Sequence, residues 1–132
     1  MLPKVMIVED DAVIREIYAL KFELEGYPVL AVENGERALA AVAGFAPHYI
    51  LLDMMMPVMG GLEFMERYRM RPDAAEVIVF SNISASHQVA AIMKLGAAAY
   101  WVKSDYTPQQ VVENIAKRWR TRHHKPRPSH SG

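Results

Sequence analysis

The run Tyr49-Ile50-Leu51-Leu52, which stops at Asp53, is the most informative segment for the architecture of this 132-residue chain. Four successive apolar residues without polar alternation are typical of a strand that is covered on both faces. Similar short apolar runs occur before and after it, and amphipathic stretches separate them. This alternation predicts an α/β protein that is built around a parallel sheet.

Five strands and five helices are predicted in strict alternation. The strands cover residues 5–8, 29–32, 49–52, 77–80 and 100–102. The first helix contains the spaced apolar residues Val13, Ile17, Leu20 and Leu24. The second and third helices cover residues 36–43 and about 62–71. The fourth begins at a cap at Ser84 or Ser86 and runs to Leu95, and the fifth begins at Thr107. The pattern predicts helices on both faces of the sheet, with a functional site beyond the carboxyl ends of its strands.

Four of the predicted strands end in residues that suit one chemistry. The first strand is followed by Glu9-Asp10-Asp11, the third by Asp53 and the fifth by Lys103, and the fourth ends in Ser81. Carboxylates that share a pocket repel each other, and a hard divalent cation such as magnesium removes that conflict. Asp53 is then a candidate nucleophile for acyl phosphate formation, with the lysine and the cation offsetting charge on the phosphoryl group.

Each of these residues also has a purely structural explanation. Acidic residues after a strand often cap the next helix, a lysine there is usually a solvated charge, and Ser81 taken alone is a loop residue. The methionines of the loop after Asp53 are packing residues in this interpretation. The joint occurrence of suitable residues at four strand ends favours the functional interpretation.

Composition and charge narrow the class of protein. The chain has no cysteine, no apolar run long enough to span a bilayer and no segment shaped like a signal peptide, so a cytoplasmic protein is expected. Residues 1–116 carry nine basic and fifteen acidic side chains, whereas residues 117–132 carry six basic and no acidic ones. We expect one domain over residues 1–121 and a basic, disordered tail over residues 122–132.

Taken together, these features resemble the receiver domain of two-component response regulators over about residues 3 to 121. The motifs are Val8-Glu9-Asp10-Asp11, Leu51-Leu52-Asp53 with Met56-Pro57, Gly61, Ser81, and Gly96-Ala97 before Tyr100-Trp101-Val102-Lys103. The resemblance implies a flavodoxin-like fold, a sheet with strand order 2-1-3-4-5, and a phosphorelay role in signal transduction.

The resemblance also implies a role for each site residue. Asp53 is the phosphoacceptor, and Lys103 binds the phosphoryl group. The ligands of Mg²⁺ (or Mn²⁺) are Glu9, Asp10, Asp53 and the Met55 carbonyl. Ser81 is the switch hydroxyl, and Tyr100 is the aromatic residue that reorients when that hydroxyl moves. Asp11 is expected to cap the first helix instead. The chain is then a self-phosphorylating acceptor with slow loss of the phosphoryl group, and not a turnover enzyme.

Three departures from the family pattern concern the loops around the site. The chain has Lys103-Ser104 where the family usually has Lys-Pro with a cis bond, so a trans bond and a differently shaped loop are expected. Gly60-Gly61 replaces the frequent Asp-Gly pair. Ile83 and Met55 are apolar at positions that influence how fast the family loses the phosphoryl group.

The expected partners are proteins. A histidine kinase or histidine phosphotransfer protein supplies the phosphoryl group, and the signal leaves through the face of helix 4, strand 5 and helix 5 to a protein partner or a self-dimer. No nucleic-acid-binding domain, membrane span or Gly-rich phosphate loop is predicted, unless the chain is a fragment of a larger protein. The alternatives are an aspartate-nucleophile phosphatase, whose Asp-x-Asp motif is absent here, and a pseudo-receiver that binds partners without phosphorylation.

Overall fold

The computed structural model describes residues 1–68 and 74–123, in which strands and helices alternate along the chain. The strands are β1 (Val5–Val8), β2 (Val29–Val32), β3 (Tyr49–Leu52), β4 (Glu76–Ser81) and β5 (Ala99–Val102). The helices are α1 (Ala12–Leu24), α2 (Gly35–Phe45), α3 (Gly61–Tyr68), α4 (Ser86–Lys94) and α5 (Pro108–His123). The predicted α/β architecture is confirmed.

The five strands form one parallel sheet in the order β2-β1-β3-β4-β5, as expected. Every residue of β1 and β3 is buried, because each of these strands has a neighbour on both sides and helices over both faces. Alternate residues of β3 point into two different cores: Ile50 belongs to the core on the α2–α3–α4 side and Leu51 to the core on the α1–α5 side. The apolar run at 49–52 is therefore the centre of the protein.

Helix α1 has two apolar faces. The face that packs on the sheet is not the one with the most regular apolar spacing. Tyr18 and Phe22 are its buried residues and pack in the α1–α5 core. The side chains whose spacing predicts the helix are exposed: Val13, Ile17, Leu20 and Leu24. The helix is apolar on two faces, and the bulkier aromatic pair occupies the core.

The structure confirms one predicted helix cap and contradicts another. Thr107 caps α5 as expected: its hydroxyl accepts from the Gln110 backbone N–H at 3.2 Å, and the Gln110 side chain accepts from the Thr107 N–H at 2.9 Å. The serine cap predicted for α4 is wrong, because Ala85 occupies the cap position and no side chain bonds there.

Two predicted segments extend beyond the described residues. Helix α3 is described to Tyr68, so the rest of the predicted helix to residue 71 lies outside. Helix α5 continues to His123, two residues into the predicted tail, and residues 124–132 also lie outside the described part. Among the described residues, no helix is long and apolar enough to cross a bilayer.

Candidate functional site

Three carboxylates meet at the carboxyl end of the sheet. Glu9 and Asp10 follow β1 and Asp53 follows β3, and the parallel register pairs Val8 with Leu52, so these strands end side by side. One carboxylate oxygen from each of the three residues lies within 4.8 Å of the others. Glu9 and Asp53 are buried, whereas Asp10 is exposed at the mouth of the site. The structure thus brings together the acidic residues that the sequence predicts.

Lys103 joins this cluster from the end of β5. Its ammonium nitrogen lies 2.5 Å from Glu9 Oε1 and 3.5 Å from Asp53 Oδ2. The peptide bond to Ser104 is trans, as expected, since no cis bond occurs in the described residues. The Ser104 N–H donates to the Asn82 side chain at 2.8 Å, which ties this turn to the loop after β4. The lysine therefore reaches the site without a following proline.

Glu9 carries an electrostatic cost in this arrangement. Burial raises the pKa of its carboxyl, and the negative charge of Asp53 adds to the rise. The hydrogen bonds from Lys103 and from the Asp11 backbone N–H lower the pKa but do not cancel the effect of burial. One ammonium group faces three carboxylates, so the cluster has an excess of negative charge that a bound cation would neutralise.

Two residues shape the loop that presents the acidic pair. Asp11 caps α1 as expected, because its carboxylate accepts from the backbone N–H groups of Val13 and Ile14 at 2.9 and 3.0 Å. Arg15 has no predicted role, yet its guanidinium donates to the carbonyl of Glu9 at 2.8 Å and to that of Asp10 at 3.3 Å. Its position one helical turn after the acidic run is the only sequence signal for this contact.

The predicted switch residues, Ser81 and Tyr100, lie next to each other behind Asp53. Ser81 is buried at the end of β4, and its hydroxyl accepts from the Ile83 backbone N–H at 3.3 Å. The Tyr100 hydroxyl is buried without a hydrogen bond of good geometry to any described residue. Burial raises the pKa of Tyr100, proximity to the Ser81 hydroxyl lowers it, and the Asp53 charge raises it. The tyrosine hydroxyl therefore already points inward, towards the site.

The loop after β3 lies against Asp53. Met55 is exposed, and its backbone N–H lies 3.5 Å from Asp53 Oδ1. A Cβ atom on Gly61 would lie only 2.7 Å from the Asp53 carbonyl oxygen, so the glycine allows α3 to begin directly beside the site. The role of the Met55 carbonyl as a metal ligand stays a prediction.

This donor set fits a hard divalent cation. All three converging groups offer carboxylate oxygens, which magnesium and manganese prefer over sulfur and nitrogen ligands. The described chain offers no cysteine, and Met54 and Met59 are buried packing residues of the core. A carboxylate beside a cation site and a lysine is an arrangement that can accept and hold a phosphoryl group.

Comparison with known proteins identifies the family to which these features belong. The model of the response regulator receiver domain matches residues 5–116. The chain is 31% identical over 100 residues to sporulation initiation phosphotransferase F of Bacillus subtilis, covering 76% of this chain and 81% of that protein. It is 28% identical over 112 residues to the probable transcriptional regulator ycf27 of Porphyridium aerugineum, covering 85% of this chain and 46% of that protein.

The chain spans about half the length of several curated relatives that it matches. Among solved structures, it is similar to the CheY-like receiver domain protein from Methanospirillum hungatei, with a TM-score of 0.84 and 24% identity. That alignment covers 96% of this chain and 100% of the other, and at this identity it supports the fold alone.

Proposed function

We propose, from the premise that this chain belongs to the response regulator receiver domain family, that Asp53 accepts a phosphoryl group with the help of a bound divalent cation. The observation that carries the proposal is the meeting of Glu9, Asp10, Asp53 and Lys103 at one edge of the sheet. Receiver domains are phosphoacceptors and not turnover enzymes, and the proposal assigns that property to a particular carboxylate.

The side chains divide the chemistry among them. An Asp53 carboxylate oxygen attacks the phosphorus atom, an oxygen–phosphorus bond forms, and the bond from phosphorus to the donor breaks, leaving its electron pair on the donor. Lys103, which lies between Glu9 and Asp53, moves its charge from the first carboxylate towards the incoming phosphoryl oxygens. The Ser81 hydroxyl accepts from the Ile83 N–H, so its own proton is available to donate to one of those oxygens.

Glu9 and Asp10 are the residues that would hold magnesium or manganese, together with Asp53 and the Met55 carbonyl. When bound, the cation neutralises the crowded carboxylates and the charge of the phosphoryl group. The hydrogen bonds of Glu9 to Lys103 and to the Asp11 N–H keep its side chain directed into the site. The Arg15 contacts to the loop carbonyls keep Asp10 at its mouth.

The proposed donor is a phosphohistidine on a histidine kinase or phosphotransfer protein, and the proposed output is a change of the α4–β5–α5 face. Ser81 connects the site to that face because Tyr100 of β5 lies beside it with a buried hydroxyl. Movement of Ser81 towards a phosphoryl group changes the surroundings of this hydroxyl. A protein partner or a second copy of the chain would then bind the changed α4–β5–α5 face with a different affinity. A cytoplasmic location and a basic tail after residue 121 remain part of the proposal.

Intact-mass measurement after treatment with magnesium and acetyl phosphate tests the chemistry. The protein should gain one phosphoryl group, and Asp53→Asn should abolish the gain. Asp11→Asn is a matched control, because this neighbouring carboxylate is used as the cap of α1 and lies outside the cluster. Full labelling of the Asp53→Asn variant, or loss of labelling with Asp11→Asn alone in a folded protein, would contradict the assignment.

A further inference from the structure

The turn that carries Lys103 is held by a side chain from the neighbouring loop. Lys103 is the first residue of a short 3-10 turn, and the first N–H groups of a helical turn have no partner within it. The register pairs Ser81, the last residue of β4, with Val102, the last residue of β5, so the loops after them lie side by side. There the Asn82 side-chain oxygen accepts from the Ser104 N–H at 2.8 Å.

We infer that Asn82 is a positioning residue for Lys103, because its hydrogen bond to the next residue along fixes the turn from which the ammonium group reaches the site. Lysine has a flexible four-carbon stem, so the place of its ammonium group depends on where its backbone is held. In the present position this group lies 2.5 Å from Glu9 Oε1 and 3.5 Å from Asp53 Oδ2. The inference rests on the proposed function, in which this ammonium offsets the charge of the phosphoryl group.

The effect of the bond is local. Asn82 and Ser104 are both exposed, so the contact lies outside the two apolar cores. It limits the positions that the lysine turn can take and does not hold the sheet together. A proline at position 104 would have no N–H to donate, so the contact exists only because another residue type follows the lysine.

The same loop carries the predicted switch hydroxyl. Ser81 directly precedes Asn82, and its hydroxyl accepts from the Ile83 N–H at 3.3 Å. A movement of Ser81 towards a phosphoryl group therefore also moves Asn82 and, through the Ser104 N–H, the lysine turn. Asn82 in this way links the switch hydroxyl to the phosphate-binding lysine.

The rate at which acetyl phosphate labels the protein in magnesium, followed by intact mass, tests the role in the reaction. Asn82→Ala should label about two- to tenfold more slowly, which is the effect of one lost hydrogen bond. Asn82→Asp keeps the acceptor oxygen and should label like the parent at high ionic strength, where its added charge is screened. In a Lys103→Met background, Asn82→Ala should cause no further loss, because it acts through that lysine. Ser84→Ala, at an exposed residue of the same loop, is the matched control and should leave the rate unchanged.

Urea unfolding without magnesium or phosphodonor tests the contact independently of phosphoryl transfer. Asn82→Ala should raise the equilibrium constant of unfolding about two- to tenfold. The same substitution should have no effect in a Ser104→Pro background, which lacks the N–H. Asn82→Asp should unfold like the parent at high ionic strength, which tests the contact without the proline.

Three results overturn the inference: no coupling between positions 82 and 104 in the unfolding measurements, an undiminished labelling rate of Asn82→Ala, or a further loss with Asn82→Ala in the Lys103→Met background. Faster labelling of Asn82→Ala would show that this side chain restricts access of the donor instead. If the parent itself is not labelled, the proposed function fails, and the unfolding measurements alone decide whether Asn82 holds the lysine turn.

Discussion

Replacement of Gly61 by alanine should destabilise the protein, although alanine is the better helix-forming residue. An ideal Cβ at this position would lie 2.7 Å from the Asp53 carbonyl oxygen and 3.0 Å from the Met54 Cα. Both neighbours are backbone atoms, so neither contact is relieved by a side-chain rotation. Either β3 or the start of α3 has to move.

The expected loss follows from the size of these overlaps. Ordinary contacts between such atoms lie at about 3.5–4.0 Å, so the backbone must shift by roughly half an ångström or more. Overpacking of this kind destabilises a protein by about 1–3 kcal/mol, and the higher helix propensity of alanine offsets less than about 1 kcal/mol of that loss. We therefore expect Gly61→Ala to lower the free energy of unfolding by about 1–2 kcal/mol, which corresponds to a fall in the melting temperature of roughly 4–8 °C.

Urea and thermal unfolding monitored by circular dichroism measure this change. Gly44→Ala is the matched control, because no atom lies within 4 Å of a Cβ placed there inside α2. That substitution should stabilise the protein by about 0.5–1 kcal/mol. Because the shifted carbonyl belongs to Asp53, labelling by acetyl phosphate should also slow in Gly61→Ala. If Gly61→Ala is as stable as the parent protein, the steric reasoning is refuted.

Three further variants test the site. Burial raises the pKa of Glu9 above its usual value of 4.5, so the stability that this carboxyl contributes at low pH is lost as the pH rises through its folded pKa. Without divalent cations, Glu9→Gln should therefore melt at a higher temperature than the parent at pH 7 and show no advantage below pH 4.5; an advantage that grows on acidification would argue against a raised pKa. Met55→Asn combined with Ile83→Glu should speed phosphoryl loss, since the apolar parent side chains cannot orient a water molecule, and an unchanged decay course would refute this explanation. Ser81→Ala should still accept a phosphoryl group but lose the change in Trp101 fluorescence and in self-association that we expect on phosphorylation; if the variant responds like the parent, the switch lies elsewhere.

The architecture and the membership of the site were largely predictable because both depend on local sequence patterns. Short apolar runs that alternate with amphipathic stretches predict a parallel α/β sheet, and such a sheet places its strand ends at one edge. Glu9, Asp53, Ser81 and Lys103 could therefore be identified from the residue types at strand ends. The capping of α5 by Thr107 was also predictable, because the residues involved are three positions apart.

Features that depend on packing between distant segments were not predictable in this way. Lys103 and Glu9 are 94 residues apart, and only the adjacency of β1, β3, β4 and β5 determines that the ammonium lies 2.5 Å from that carboxylate. The inward position of the Tyr100 hydroxyl likewise results from the packing of β5 against β4. The spacing of residues along the sequence does not give distances between side chains of different strands.

Helix α1 shows most clearly which features the sequence determines and which the tertiary structure decides. Its sequence determines a helix by itself, because apolar residues recur at helical spacing on two faces and Asp11 supplies the cap. The sequence does not determine which face is buried, since both faces are apolar and the burial of either one is favourable. The tertiary structure decides this point: the core beside β1 and β3 has room for the aromatic rings of Tyr18 and Phe22, and the aliphatic face is left on the surface.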